Sequence, residues 1–115
     1  MSITVAPVGN SRILSVGTYR PKRVVPNSEI VDRIDSTDEW IVQRTGIESR
    51  RFAGDDEIVI SMAKAACEIA LKRAKLTIAD IDTVILSTIS YPFQAPSAAT
   101  ELINELGNPK AAAFD

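Results

Sequence analysis

Apolar positions along the chain follow a helical period in some stretches and run together in others. Val59, Met62, Ala63, Ala66, Ile69, Ala70 and Ala74 recur at three- and four-residue steps, which lines one face of a helix. Lys64, Glu68, Lys72 and Arg73 fall largely elsewhere, so a long amphipathic helix is predicted there. By contrast, Thr83-Val84-Ile85-Leu86-Ser87-Thr88-Ile89 is apolar at adjacent positions and rich in β-branched residues. That pattern predicts a strand buried on both faces, as in a parallel sheet. Between the two, Thr77 and Asp80 carry capping-box spacing for a short turn. Pro92 and Pro96 frame a loop. Ser97 to Leu106 then reads as a helix, with Ala98, Leu102 and Leu106 four apart and Gly107 as its stop. Ala111 to Asp115 reads as a small-residue apolar strand.

The first half is less regular. Residues 1–11 read as a loose leader. Arg12 to Tyr19 is a short apolar run closed by a Gly and by Arg20-Pro21, and is predicted as a strand. Asn27 to Ile34 follows Pro26 and starts with a good N-cap residue, predicting a short helix. A second helix is predicted to start at Ser36, because Ser36 and Glu39 have the spacing of a capping box, and to stop at Gly46. Ile47 to Asp56 reads as irregular and charged. The order strand, helices, strand, helix, strand predicts an α/β fold with right-handed crossovers. No internal repeat is present.

Composition narrows the class. The 115 residues are 45% hydrophobic and 24% charged, with five Gly and six Pro, so the chain is neither disordered nor fibrous. A net charge of -2 gives no overall electrostatic reason to bind nucleic acid or anionic lipid. The first residues lack a basic segment followed by a long apolar one, and no apolar run reaches the roughly 20 residues that span a bilayer. The single Cys67 cannot form an intrachain disulfide. A cytosolic, reducing location is the expectation. The chain contains no His. A Ser-His-Asp triad, a Cys-His pair and a His-ligated metal are therefore excluded within it.

Trp40 and Arg44 are four apart and share one helix face. An indole stacks on a purine, and a guanidinium pairs with phosphate oxygens, so the two together suit an adenine nucleotide. The plain alternative is a structural cation–π pair. Asp55, Asp56 and Glu57 precede the long helix, where acidic groups complement its positive end. Three adjacent side chains do not converge on one point, so no metal is expected.

The run Asp35-Ser36-Thr37-Asp38-Glu39-Trp40-Ile41-Val42-Gln43-Arg44-Thr45-Gly46-Ile47, followed by Arg50-Arg51, resembles the signature of the β-ketoacyl-acyl-carrier-protein synthase III family. Similar features flank it: Gly17 to Pro21, Ile81 to Ile85, Pro96 to Ala99, and Ala113 to Asp115. The resemblance covers nearly the whole chain from about Arg12. It implies the thiolase-like fold of α-β-α-β-α layers, with residues 12–115 forming an incomplete N-terminal domain.

It also implies that an acyl group passes from coenzyme A to a Cys and then condenses with malonyl-acyl-carrier protein, starting fatty acid synthesis in a homodimer. Coenzyme A is then a substrate, and no cofactor is implied. By this resemblance Trp40 stacks on the adenine, Arg44 approaches the phosphate-bearing part, and Ser36 also touches the nucleotide. Ala95, just before the Pro-Ser-Ala-Ala run, would help close the partner's acyl pocket, and Ile89 would line the channel unless it is simply core. The family's Cys nucleophile would lie a few residues past Asp115, and its His and Asn much later, so no catalytic residue is assigned here. Cys67 does not match that nucleophile; inside an amphipathic helix it reads as a small inert hydrophobe. Other readings are a starter-unit polyketide or quinolone synthase, another thiolase-like enzyme such as a hydroxymethylglutaryl-CoA synthase, or a non-catalytic acyl-CoA-binding protein.

Overall fold

The computed structural model describes Gly9 and residues 11–115. Apart from Gly9 and Ser11, the leader expected over residues 1–11 lies outside the described residues. Among the described residues, four strands and three α-helices follow in the order β1 (Arg23–Pro26), α1 (Asp38–Thr45), β2 (Ser49–Phe52), α2 (Val59–Ala74), β3 (Thr83–Ile85), α3 (Ala98–Leu106) and β4 (Ala112–Phe114).

The C-terminal part is a strand-helix-strand unit with α2 packed on α3. β3 and β4 are parallel, pairing Thr83 with Ala112, Val84 with Ala113 and Ile85 with Phe114. Ile60, Ala98 and Leu102 form the buried core, with Ala63, Cys67, Val84, Leu86 and Leu106 packed against it. The small Ala98 and Ala99 at the start of α3 allow this close approach. Their amides donate to the Asp115 carboxylate at 2.9 and 2.7 Å, while Ser97 Oγ accepts from the Thr100 amide at 3.2 Å. The free N–H groups of the first helical turn are thereby satisfied. Gly107 ends α3 with φ of 87°, a conformation that a Cβ disfavours.

β1 and β2 form an antiparallel ribbon running from Arg23↔Phe52 to Pro26↔Ser49. Between them come two 3-10 turns, Asn27–Glu29 and Val31–Arg33, and then α1.

Several sequence expectations need correction. Arg12 to Tyr19 forms no strand, because neither two-stranded sheet includes it. The segment lies instead along α2: Ser15 Oγ donates to Ala70 O at 2.7 Å, and Arg73 donates to Val16 O at 2.7 Å. The helix expected from Asn27 to Ile34 is the pair of 3-10 turns, and Asn27 does not cap it, since its side chain turns inward to other partners. The helix after it is capped by Thr37 rather than Ser36, one residue later than expected. Ile47 to Asp56 is not wholly irregular, because it contains β2, held by its ribbon partner. The strand from Thr83 ends at Ile85 rather than Ile89 and is not buried on both faces, with Ile85 68% exposed. The helices at Val59–Ala74 and Ala98–Leu106, the capped turn at Thr77 and the terminal strand agree with expectation.

Candidate functional site

α1 is a short helix fixed at both ends. Thr37 Oγ1 accepts from the Trp40 amide at 3.2 Å, and Gly46 closes the helix at φ of 69°, donating to Val42 O at 2.8 Å. Asp38 and Glu39 in the first turn complement the positive end of the helix dipole, and Arg44 in the last turn complements the negative end. Ile41 is buried and anchors the helix.

Trp40 is 53% exposed, and the Arg44 guanidinium carbon lies 5.6 Å from the centre of its ring. The two side chains meet as the four-residue spacing requires, and the cation–π contact of the plain reading is present. An open depression of about 280 Å³ beside them is lined by Asp35, Ser36, Thr37 and Trp40. Ser36 therefore shares a surface with the indole. An exposed indole, two hydroxyls and a guanidinium on one ledge can stack on a flat heterocycle and hold polar or anionic groups next to it.

The other predicted residues sit apart from this ledge. Ala95 is exposed, and Ile89 is 98% exposed, so neither is core and neither is enclosed in a pocket. Cys67 is half-buried against the α2–α3 core, where burial first, and then the neighbouring Glu68, push its thiol pKa up. A thiol in that environment is a poor nucleophile.

Two buried polar residues escaped sequence reasoning. Asn27 is 1% exposed. Its Nδ2 donates to Asp38 Oδ1 at 2.6 Å and to Ile47 O at 2.7 Å, while its Oδ1 accepts from Arg50 at 2.8 Å. Glu57 is 6% exposed and accepts from the Tyr19 hydroxyl, the Lys22 amide at 3.0 Å and the Gly54 amide at 2.9 Å. It therefore reaches back to the preceding loops and does not serve the α2 terminus as expected. The Tyr19 hydrogen bond is the main cause of its lowered pKa, and the same bond raises that of Tyr19. The only advance signal for either residue was a polar side chain beside an element boundary.

Among the described residues, no group of three or more Cys, Asp or Glu is placed to hold a metal ion, and no helix is long and apolar enough to cross a membrane.

No family model matches the chain. It is 50% identical over 105 residues to β-ketoacyl-acyl-carrier-protein synthase III 1 of Streptomyces avermitilis, which covers 91% of this chain and 30% of that protein. It is 53% identical over 103 residues to the mycobacterial β-ketoacyl-acyl-carrier-protein synthase III of Mycobacterium tuberculosis, covering 90% of this chain and 31% of that protein. Over the stretch they share, this chain is similar to β-ketoacyl-acyl-carrier-protein synthases III. The chain thus spans about 30% of the length of the curated relatives it matches.

Solved structures agree. The priming β-ketosynthase of a polyketide biosynthetic pathway matches with a TM-score of 0.90 and 43% identity, covering 100% of this chain and 34% of that one. The 3-oxoacyl-acyl-carrier-protein synthase III of Aquifex aeolicus matches with a TM-score of 0.85 and 36% identity, covering 92% of this chain and 34% of that one. The fold is thiolase-like, and this chain forms part of its N-terminal half.

Proposed function

We propose that this chain is the coenzyme A-binding part of a β-ketoacyl-acyl-carrier-protein synthase III, an acyltransferase that condenses an acyl-CoA primer with malonyl-acyl-carrier protein. The observation that carries the reading is the exposed Trp40–Arg44 pair on α1, next to a depression that includes Ser36. The indole stacks on adenine, the guanidinium faces the phosphates, and Ser36 offers a hydroxyl to the nucleotide. Coenzyme A enters as the substrate's handle, so no separate cofactor is needed.

In the proposed reaction a Cys thiolate attacks the acyl-CoA thioester carbonyl and expels the coenzyme A thiolate. Malonyl-acyl-carrier protein then loses carbon dioxide. The carbanion formed attacks the acyl-enzyme thioester, giving β-ketoacyl-acyl-carrier protein and releasing the Cys thiolate. Cys67 is not that nucleophile, because burial suppresses its thiolate and no His in this chain can activate it. The nucleophile, His and Asn belong to other parts of the enzyme, which works in the cytosol as a homodimer.

Ala95 is proposed to border the acyl pocket of the partner subunit, with Ile89 near the channel. Its small side chain leaves room for primers longer or bulkier than acetyl. Ala95→Phe in the full-length enzyme is expected to shift preference toward acetyl-CoA. A wild-type enzyme that accepts only acetyl-CoA would rule this pocket reading out.

The likeness to a polyketide priming β-ketosynthase supports a second reading, in which the same condensation starts a polyketide. Assay of the full-length enzyme with acyl-CoA and either malonyl-acyl-carrier protein or malonyl-CoA tests both. β-Ketoacyl-acyl-carrier protein is the expected product. Turnover of malonyl-CoA alone would favour a starter-type polyketide or quinolone synthase, and binding without turnover would leave an acyl-CoA-binding protein.

A further inference from the structure

The helix that carries Trp40 and Arg44 is short: its caps fix its two ends, and Ile41 alone is buried along its length. Its first residue, Asp38, is held from outside. Asn27 Nδ2 donates to Asp38 Oδ1 at 2.6 Å, and the same nitrogen donates to Ile47 O just past the helix at 2.7 Å. The Asn27 amide N–H donates to Glu48 O at 3.2 Å, and its Oδ1 accepts from Arg50 of β2 at 2.8 Å. One fully buried side chain thus joins the end of β1 to the first residue of α1, the segment after α1, and β2.

We infer that Asn27 is a positioning residue for coenzyme A binding: it sets the angle at which α1 presents Trp40 and Arg44 to the nucleotide. This rests on the reading of Trp40 and Arg44 given above. The geometry makes the role specific. Both ends of α1 are tied to one amide, so the helix cannot pivot without stretching a buried hydrogen bond. An unmade bond there leaves a polar group buried without a partner. Asp cannot replace Asn, because it has no N–H to offer and sets a second carboxylate against Asp38.

The test is steady-state kinetics of Asn27→Ala and Asn27→Asp in the full-length enzyme, alongside Trp40→Ala and the double variant Asn27→Asp/Asp38→Asn. Each Asn27 variant is expected to raise the KM for acyl-CoA about tenfold, the effect of one misplaced or lost polar contact, with kcat and the KM for malonyl-acyl-carrier protein nearly unchanged. The double variant restores a donor facing an acceptor toward residue 38 but leaves Ile47 O without its donor, and is expected to recover part of the acyl-CoA KM. It also keeps the inference testable if the single variants fold poorly. If the Asn27 variants lose thermal stability while the acyl-CoA KM stays at the wild-type value, or if the double variant folds and recovers none of it, the positioning role is overturned. If Trp40→Ala itself leaves that KM unchanged, the clamp has failed and the Asn27 inference falls with it. A raised KM in Trp40→Ala alone leaves the clamp standing and overturns only the role of Asn27.

Discussion

Tyr19 and Glu57 act as a pair whose strength depends on pH. The Tyr19 hydroxyl and the amides of Gly54 and Lys22 all donate to the Glu57 carboxylate, which holds its pKa below the usual Glu value. Since the folded pKa lies below the unfolded one, this stabilisation is fully present above about pH 4.3 and is lost as pH falls through the folded value. Tyr19 behaves in the opposite sense. Its pKa is raised, chiefly by the same hydrogen bond, so its contribution is present below about pH 10 and is lost as pH rises through the folded value. Glu57→Gln in the full-length protein is therefore expected to lower Tm at pH 7 and to flatten the acid side of the Tm-versus-pH curve. Tyr19→Phe is expected to flatten the alkaline side. Trp40, Arg44 and Ser36 were legible in the sequence because a rare aromatic, a cation and a hydroxyl stood in a distinctive run. Asn27 and Glu57 were not, because all their partners but Gly54 come from 11 to 38 residues away and spacing cannot show such contacts.

At the scale of elements, the helices were legible and the strands only partly. The face of α2 and the Ser97 and Gly107 boundaries of α3 follow from local period and capping, which depend on nearby residues alone. A strand exists only where another strand pairs with it. For that reason the apolar Arg12 to Tyr19 run forms no strand, while the charged Ser49–Phe52 run does. The cap of α1 was misplaced by one residue because Ser36 and Thr37 are adjacent hydroxyls that can both cap a helix. The Arg12–Tyr19 segment meets α2 closely at Gly17, where a Cβ would come within 1.9 Å of Ala66 O and 2.6 Å of Ala70 N. Both contacts are with helix backbone, which cannot yield as a flexible side chain would. Gly17→Ala is expected to destabilise the full-length protein by about 3 kcal/mol, measured by denaturant unfolding. A change within experimental error would mean that the segment does not pack on α2 in this way.

At the scale of the whole molecule, the described chain is extended and shows much apolar surface. Its radius of gyration is 19.1 Å, against roughly 13 Å for a compact domain of this length. Leu14, Val16, Ile85, Ile89, Phe93 and Phe114 are all exposed. Expressed by itself, the 115-residue chain is expected to self-associate and to form no β-ketoacyl product. A monodisperse monomer in light scattering, or condensing activity from this chain alone, would contradict that. The resemblance in the sequence anticipated the thiolase-like architecture; the open surfaces it leaves could not be read from local patterns.

The proposed role of α1 is to hold coenzyme A through Trp40 and Arg44. Calorimetric titration of the full-length protein with coenzyme A tests it most directly, comparing wild type with Trp40→Ala and Arg44→Ala. Loss of one stacking or charge-assisted contact predicts a Kd raised about tenfold or more in each variant, with Tm near wild type because both side chains lie on the surface. Wild-type affinity in both variants would contradict the account.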